Sequence, residues 1–353
     1  MTFFKSITLM LAMSLTIGLS SCTRGGGAGG EVRVQGAGAT FPNPLYQKWI
    51  SEYGKQHTNI KIDYQSIGSG GGIKQIQART VDFGATDAPM TDAELKASPA
   101  ELIHIPTVLG AVVITYNLAG MAKPLRFSSD VIADIFLGKI AKWNDARIKA
   151  DNPDANLPAA DITVVHRAES SGTSFVFTDY LSKVSAEWKQ KVGADKSPTW
   201  PAGQGGKGNE GVTGQIKQQP NTIGYVELAY ATQNKMPVAL IKNAAGNFVE
   251  ASIDNVTAAA AGTAASTPED LRVSITNANG PSAYPISSYT YVLAYKDQTD
   301  GTKGKAVVEF LWWGLHEGES FAKDLQYAPL PAEIVKRAEA KINSITAGGK
   351  PLR

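Results

Sequence analysis

The chain is poor in the residues that most often carry redox and metal chemistry. Cys22 is the single cysteine among 353 residues, which excludes an internal disulfide and every zinc site built on several thiolates. The four histidines, His57, His104, His166 and His316, are scattered, and no H-E-x-x-H pair sets two of them on one helix face. No metal site and no cofactor is expected. Charge of one sign is lacking too, since 34 basic residues nearly cancel 32 acidic ones and leave a formal net charge of +2. Nucleic acid is therefore not expected as a partner, because such proteins neutralise phosphates with a concentrated basic face. Any anion site must be local.

A bilayer-spanning run is missing from the start of the chain as well. Ile7 to Leu19 is apolar but shorter than the roughly 20 residues a membrane helix needs. With Lys5 before it and the small residues Ser20 and Ser21 after it, residues 1–21 have the layout of an export signal. The alternative, an uncleaved anchor helix, suffers from the short apolar core. Leu19-Ser20-Ser21-Cys22 resembles the bacterial lipobox, in which cleavage leaves the cysteine as a lipid-modified N-terminus. Cys22 is thus the expected lipidation site, and two or more acyl chains anchor a protein stably where one does not. Residues 22–30, mostly glycine after Arg24, read as a flexible tether of about 15 Å root-mean-square reach. The folded part is expected from Glu31 onward, in the periplasm or cell envelope, anchored to a bacterial membrane by lipid.

What the chain does have is length for two lobes and an α/β rhythm. At 353 residues with 43% hydrophobic and 19% charged side chains, it is too long for one core and too apolar to be disordered. Val32 and Val34 alternate before a glycine turn, and Leu45, Trp49 and Tyr53 then recur at helical spacing. Ile60, Ile62 and Tyr64 alternate before Ser69 to Gly72 and a helical run through Ile73 and Ile76. Ile162 to Val165 precede Ser170 to Thr173, after which Phe177, Leu181 and Val184 keep helical spacing. This repeated strand, turn and helix predicts α/β architecture with mainly parallel sheets. Val108 to Tyr116 and Tyr289 to Tyr295 read as buried strands. Residues 243–281, rich in Ala, Asn, Gly and Thr, read as a surface excursion.

Each of the three turns opens a helix, where unpaired N–H groups and a partial positive charge favour anions. Each also carries hydroxyls: Thr40 in G-A-G-A-T-F-P, Ser69 in I-G-S-G-G-G, and Ser171 with Thr173 in S-S-G-T-S-F. Singly these are ordinary N-caps. No G-x-x-x-x-G-K-[ST] or G-x-G-x-x-G loop occurs, and Lys207 lacks the following Ser or Thr that would hold Mg²⁺. A hydrolase using Ser171 or Ser69 would need a base. His166 is near Ser171 in sequence, but no G-x-S-x-G elbow is present, and His166 reads as a strand-end residue. Asp87, in V-D-F-G-A-T-D-A-P, could cap the loop at Ala88-Pro89 or serve as an acceptor in a site otherwise made of donors.

The ordered set G-A-G-A-T-F-P-N-P, Y-Q-S-I-G-S-G-G-G-I-K-Q-I, V-D-F-G-A-T-D-A-P, L-G-K-I-A-K-W-N-D, S-G-T-S-F-V-F-T-D-Y-L, G-G-K-G-N-E-G and I-G-Y-V-E closely resembles the PstS family. These are the periplasmic phosphate-binding proteins of bacterial phosphate ABC importers. The resemblance implies an α/β, two-lobed periplasmic binding protein of type II with inorganic phosphate in the hinge cleft. It implies no enzyme activity, a membrane permease of a phosphate ABC importer as partner, and a monomer. Lobe I would combine residues 31–107 with 287–353, and lobe II would span 108–286. Carried onto matching positions, the ligand contacts fall on Thr40, Phe41, Ser69, Asp87, Arg167, Ser171, Gly172 and Thr173. Phe41 would act through its backbone N–H, and Arg167 would grip two oxygens with a planar fork. Asp87 would accept the proton that phosphate keeps near neutral pH, leaving fully ionised sulfate with opposed lone pairs. Three positions depart from the family: His166 stands where an Arg is frequent, Glu169 replaces Asp and Ser170 replaces Gly. Trp312 and Trp313 are expected in lobe core, since an inorganic anion has no face to stack on.

Overall fold

The computed structural model of the protein describes residues 30–263 and 266–353. The expected export signal, Cys22 and all of the tether but Gly30 lie outside the described residues. Alternating burial in the strand Ile60–Ser66, continuous burial in the strands Leu102–Asn117 and Ser287–Tyr295, and period-four burial in the helix Asn43–Gln56 build the α/β layers. The strands are β1 (Val32–Gly38), β2 (Ile60–Ser66), β3 (Phe83–Thr86), β4 (Leu102–Asn117), β5 (Thr163–Arg167), β6 (Gln204–Gly206), β7 (Thr222–Glu227) and β8 (Ser287–Tyr295). They form one sheet in the order β2-β1-β3-β8-β4-β7-β5-β6.

The flanks are parallel, with β1 between β2 and β3 and with β5 between β6 and β7. The centre is not. β8 runs antiparallel to both β3 and β4, and β4 runs antiparallel to β7. The expectation of mainly parallel pairing fails there because β4 is buried along nearly its whole length. A continuous apolar run marks a central strand but carries no sign of direction. β4 pairs with β8 over residues 102–111 and with β7 over 112–117, so one strand ties the two flanks together.

Helix α1 (Asn43–Gln56) follows β1 and buries Leu45, Tyr46, Trp49 and Tyr53, the stripe that its spacing predicts. Helix α2 (Ser69–Gln77) starts at Ser69 itself, so its glycines lie inside the first turn. Gly68 before it has φ +90°, a conformation that glycine adopts without strain. Helix α3 (Gly172–Val184) is capped by Ser171, whose Oγ accepts from Ser174 N at 3.1 Å. Residues 243–281 are more than a surface excursion. The helix Ile253–Ala261 buries Val256, Ala259 and Ala260, and Leu271 and Ile275 are in the core. Small alanines pack closely there, so a composition typical of loops conceals a packed helix. Among the described residues, no helix is long and apolar enough to cross a membrane.

Candidate functional site

The strand-to-helix turns bring the expected residues to one place. Thr40 and Phe41 lie between β1 and α1, Ser69 opens α2, Asp87 follows β3, Arg167 ends β5, and Ser171, Gly172 and Thr173 begin α3. The seven side chains among them are at most 2% exposed, and Gly172 is buried. Contact across the site is close enough to demand glycine. A Cβ on Gly172 would lie 2.4 Å from Ser69 Oγ and 2.5 Å from Asp87 Oδ2. A Cβ on Gly70 would lie 2.2 Å from Ser170 Oγ, and Gly70 N donates to Ser170 O at 3.0 Å. Ser170 thus fits because Gly70 faces it. Phe41 packs its ring where a Cβ on Gly110 would fall, 2.6 Å away, so its side chain is core.

Asp87 does not cap the Ala88-Pro89 loop. Thr86 does so, accepting from Ala88 N at 3.2 Å and donating to Ala88 O at 2.6 Å. Asp87 Oδ1 instead accepts from Thr290 Oγ1 at 2.7 Å, while Oδ2 is buried without a hydrogen-bond partner. Burial pushes the Asp87 carboxyl up to about 7, against the Thr290 hydrogen bond, the Arg167 charge and Ser69, which pull it down. Arg167 Nη1 is likewise buried and unpartnered. The other face of its guanidinium is taken. Nε donates to Glu169 Oε1 at 3.0 Å and Nη2 bonds the same oxygen, so the open two-pronged fork implied by the resemblance is reduced to the Nη1 side. Glu169 also accepts from Gly208 N at 3.1 Å. Burial raises the Glu169 carboxyl, but the Arg167 charge and hydrogen bonds outweigh it and hold it below its ordinary value.

The hydroxyls share one polarity. Ser69 Oγ accepts from Asp87 N at 3.3 Å and Ser171 Oγ from Ser174 N at 3.1 Å. Thr40 Oγ1 and Thr173 Oγ1 accept from Asn209 Nδ2 at 2.8 and 3.2 Å. A hydroxyl that accepts from an amide keeps its own proton to donate, so these hydroxyls are a set of donors around the Asp87 carboxylate. His166 is not part of it. Its Nδ1 meets Arg167 O at 3.0 Å, its ring stacks on Trp200 at 4.8 Å, and burial lowers its pKa. Among the described residues, no group of three His, Cys, Asp or Glu could hold a metal ion.

Four residues were missed. Thr290 is one of many inward threonines in a strand, and nothing in the sequence distinguishes it. Asn209 and Glu227 stand in G-G-K-G-N-E and I-G-Y-V-E, motifs of the resemblance in which no residue type by itself marks a buried hydrogen bond. Glu227 is fully buried, and its Oε2 accepts from Ala229 N at 2.8 Å and lies 3.1 Å from Tyr327 Oη. Burial, reinforced by the charge of Asp87, raises its pKa well above the ordinary value. Tyr327 also donates to Phe41 O at 2.6 Å, which pins the first turn.

A family model described as a PBP superfamily domain matches residues 25–312. The phosphate-binding protein PstS of Xylella fastidiosa is 48% identical, over 88% of this chain and 85% of its own. That of Pasteurella multocida is 47% identical, over 87% and 89%, and that of Methanocaldococcus jannaschii 38%, over 97% and 96%. Among solved structures, a periplasmic phosphate-binding protein (PfluDING) bound with phosphate superposes with a TM-score of 0.71 at 22% identity, over 90% of this chain and 97% of that one. A phosphate-binding protein from Stenotrophomonas maltophilia gives 0.68 at 22%, over 88% and 93%. The fold is that of the two-lobed periplasmic binding proteins, and the chain belongs to the PstS phosphate-binding protein family.

Proposed function

We propose that the protein is an extracytoplasmic receptor that captures inorganic phosphate and delivers it to the permease of an ABC importer. The carrying observation is the buried cluster of hydroxyl donors in which Asp87 Oδ2 and Arg167 Nη1 are both unpartnered. Thr40, Ser69, Ser171 and Thr173 supply hydroxyl protons, Phe41 and Gly172 their backbone N–H groups, and Arg167 one charged edge. Asp87 accepts the proton of the ligand and so disfavours sulfate. Lobe I comprises residues 31–107 and 287–353 and lobe II residues 108–286, so the chain crosses between them within β4 and just before β8. Cys22 carries the lipid that keeps this monomer at the bacterial membrane, on the periplasmic side. Turnover is not part of the reading, since no imidazole bonds a site hydroxyl among the described residues.

Protein stripped of ligand should gain about 2.7 kcal/mol from phosphate at a hundredfold excess over Kd, visible as a rise in melting temperature. Sulfate at the same concentration should leave the melting curve in place. Equal shifts with both anions would overturn the selection by Asp87, and hydrolysis of a phosphate ester would overturn the receptor reading.

A further inference from the structure

Asn209 is fully buried in the helix α4 (Gly208–Gln218), and its surroundings fix the direction of every hydrogen bond it makes. The backbone N–H of Glu227 can only donate, and it reaches Asn209 Oδ1 at 3.0 Å. The other end of the amide is therefore the NH₂ group. Its protons go to Thr40 Oγ1 at 2.8 Å and Thr173 Oγ1 at 3.2 Å, and the backbone N–H of Asn209 adds a contact to Thr40 Oγ1 at 3.3 Å. Thr40 Oγ1 thus has both acceptor positions filled and only its proton left. Glu227 holds this arrangement in place from behind, because its own side chain caps the following helix, Leu228–Gln233.

Thr40 belongs to the turn after β1 and Thr173 to the first turn of α3, on opposite flanks of the sheet. One amide therefore sets the polarity of two hydroxyls that come from distant parts of the chain. A free hydroxyl can turn a lone pair toward an anion as easily as a proton, and ordering that rotor costs free energy. We propose that Asn209 is a positioning residue of the phosphate site, holding the Thr40 and Thr173 hydroxyls with both protons turned toward the oxyanion. The inference rests on the phosphate reading of the site and assigns Asn209 no contact with the anion.

Calorimetric titration with inorganic phosphate tests it in two backgrounds. In the native background Asn209→Ala should weaken binding about tenfold, the scale of one or two net hydrogen bonds. In a Thr40→Val, Thr173→Val background the same change should have less than about a twofold effect, because the groups it acts through are gone. Equal losses in both backgrounds would show that Asn209 acts by packing alone and would overturn the proposal. Asn209→Asp keeps the shape, but its carboxylate would draw the hydroxyl protons inward. It should bind phosphate more weakly than Asn209→Ala, and binding as tight as that of the alanine variant would also overturn the idea. Should a variant fail to fold, neutron diffraction from native crystals with phosphate reads the two hydroxyl deuterons directly. A deuteron turned away from the anion would sink the proposal, one turned toward it on each threonine would sustain it. Native protein that gives no heat with phosphate would overturn the phosphate reading itself, and the Asn209 assignment with it.

Discussion

Asp87 is a fully buried carboxylate whose electrostatic cost is measurable without ligand. Its folded-state pKa lies above the unfolded value, at about 7 against 3.8. Between those values the folded protein holds a proton that the unfolded chain has lost, so this group's contribution to stability falls as pH rises from about 4 through about 7. Asp87→Asn removes the buried charge, keeps an acceptor for Thr290 and places an amide where Oδ2 stood. Ligand-free Asp87→Asn protein should melt higher than native protein at pH 7.5, by up to about 4 kcal/mol of stability, and the gain should vanish near pH 4. A variant less stable than native at pH 7.5 would contradict the burial argument. At this scale the sequence was most legible where chemistry is local. Thr40, Ser69, Ser171 and Thr173 announce themselves by standing at helix starts. Thr290 does not, because its partner Asp87 is 203 positions away and an inward strand threonine looks the same whether it packs or bonds.

The first turns of α2 and α3 meet through glycines that ordinary propensity would disfavour. Alanine at Gly172 would help the helix by about 1 kcal/mol in isolation. Here its methyl would collide with Ser69 and Asp87, at 2.4 and 2.5 Å. Gly172→Ala should therefore weaken phosphate binding by about ten- to hundredfold, and the ligand-free protein should lose about 1–3 kcal/mol of stability to overpacking, offset in part by the gain in helix propensity. Phosphate affinity equal to native would show that the two turns need not approach so closely. The elements themselves were largely readable: α1, α2 and α3 follow their apolar spacing, and β1 and β2 their alternation. What failed was direction and density. The continuous apolar runs of β4 and β8 conceal antiparallel pairing, and the alanines of 253–261 conceal a packed helix. Both depend on which surfaces meet, a property of the assembled layers and not of any one segment.

For the whole molecule, the proposed lipid site Cys22 and the candidate ligand residues belong to different parts of the chain, so membrane attachment and binding should be separable. Cys22→Ser should release the protein from the membrane fraction and leave phosphate affinity unchanged, because every candidate ligand residue lies at or beyond Thr40. Retention of the variant in the membrane fraction would favour an uncleaved signal helix. Ion pairs join residues 31–107 to residues 108–286 in the described structure: Lys196 meets Glu94 at 2.6 Å and Arg272 meets Asp92 at 2.7 Å. Such partly exposed pairs contribute at most about 1 kcal/mol each and weaken in salt. The bond between Arg167 and Glu169 reaches beyond affinity. With the guanidinium charge already answered by a carboxylate and Asp87 close by, the site projects no net positive field that would draw anions in from a distance. Encounter is then left to random diffusion, and capture speed becomes nearly indifferent to ionic strength. Such a scavenger gives up the fastest possible catch, and in return its cleft is not crowded by every other anion in its surroundings.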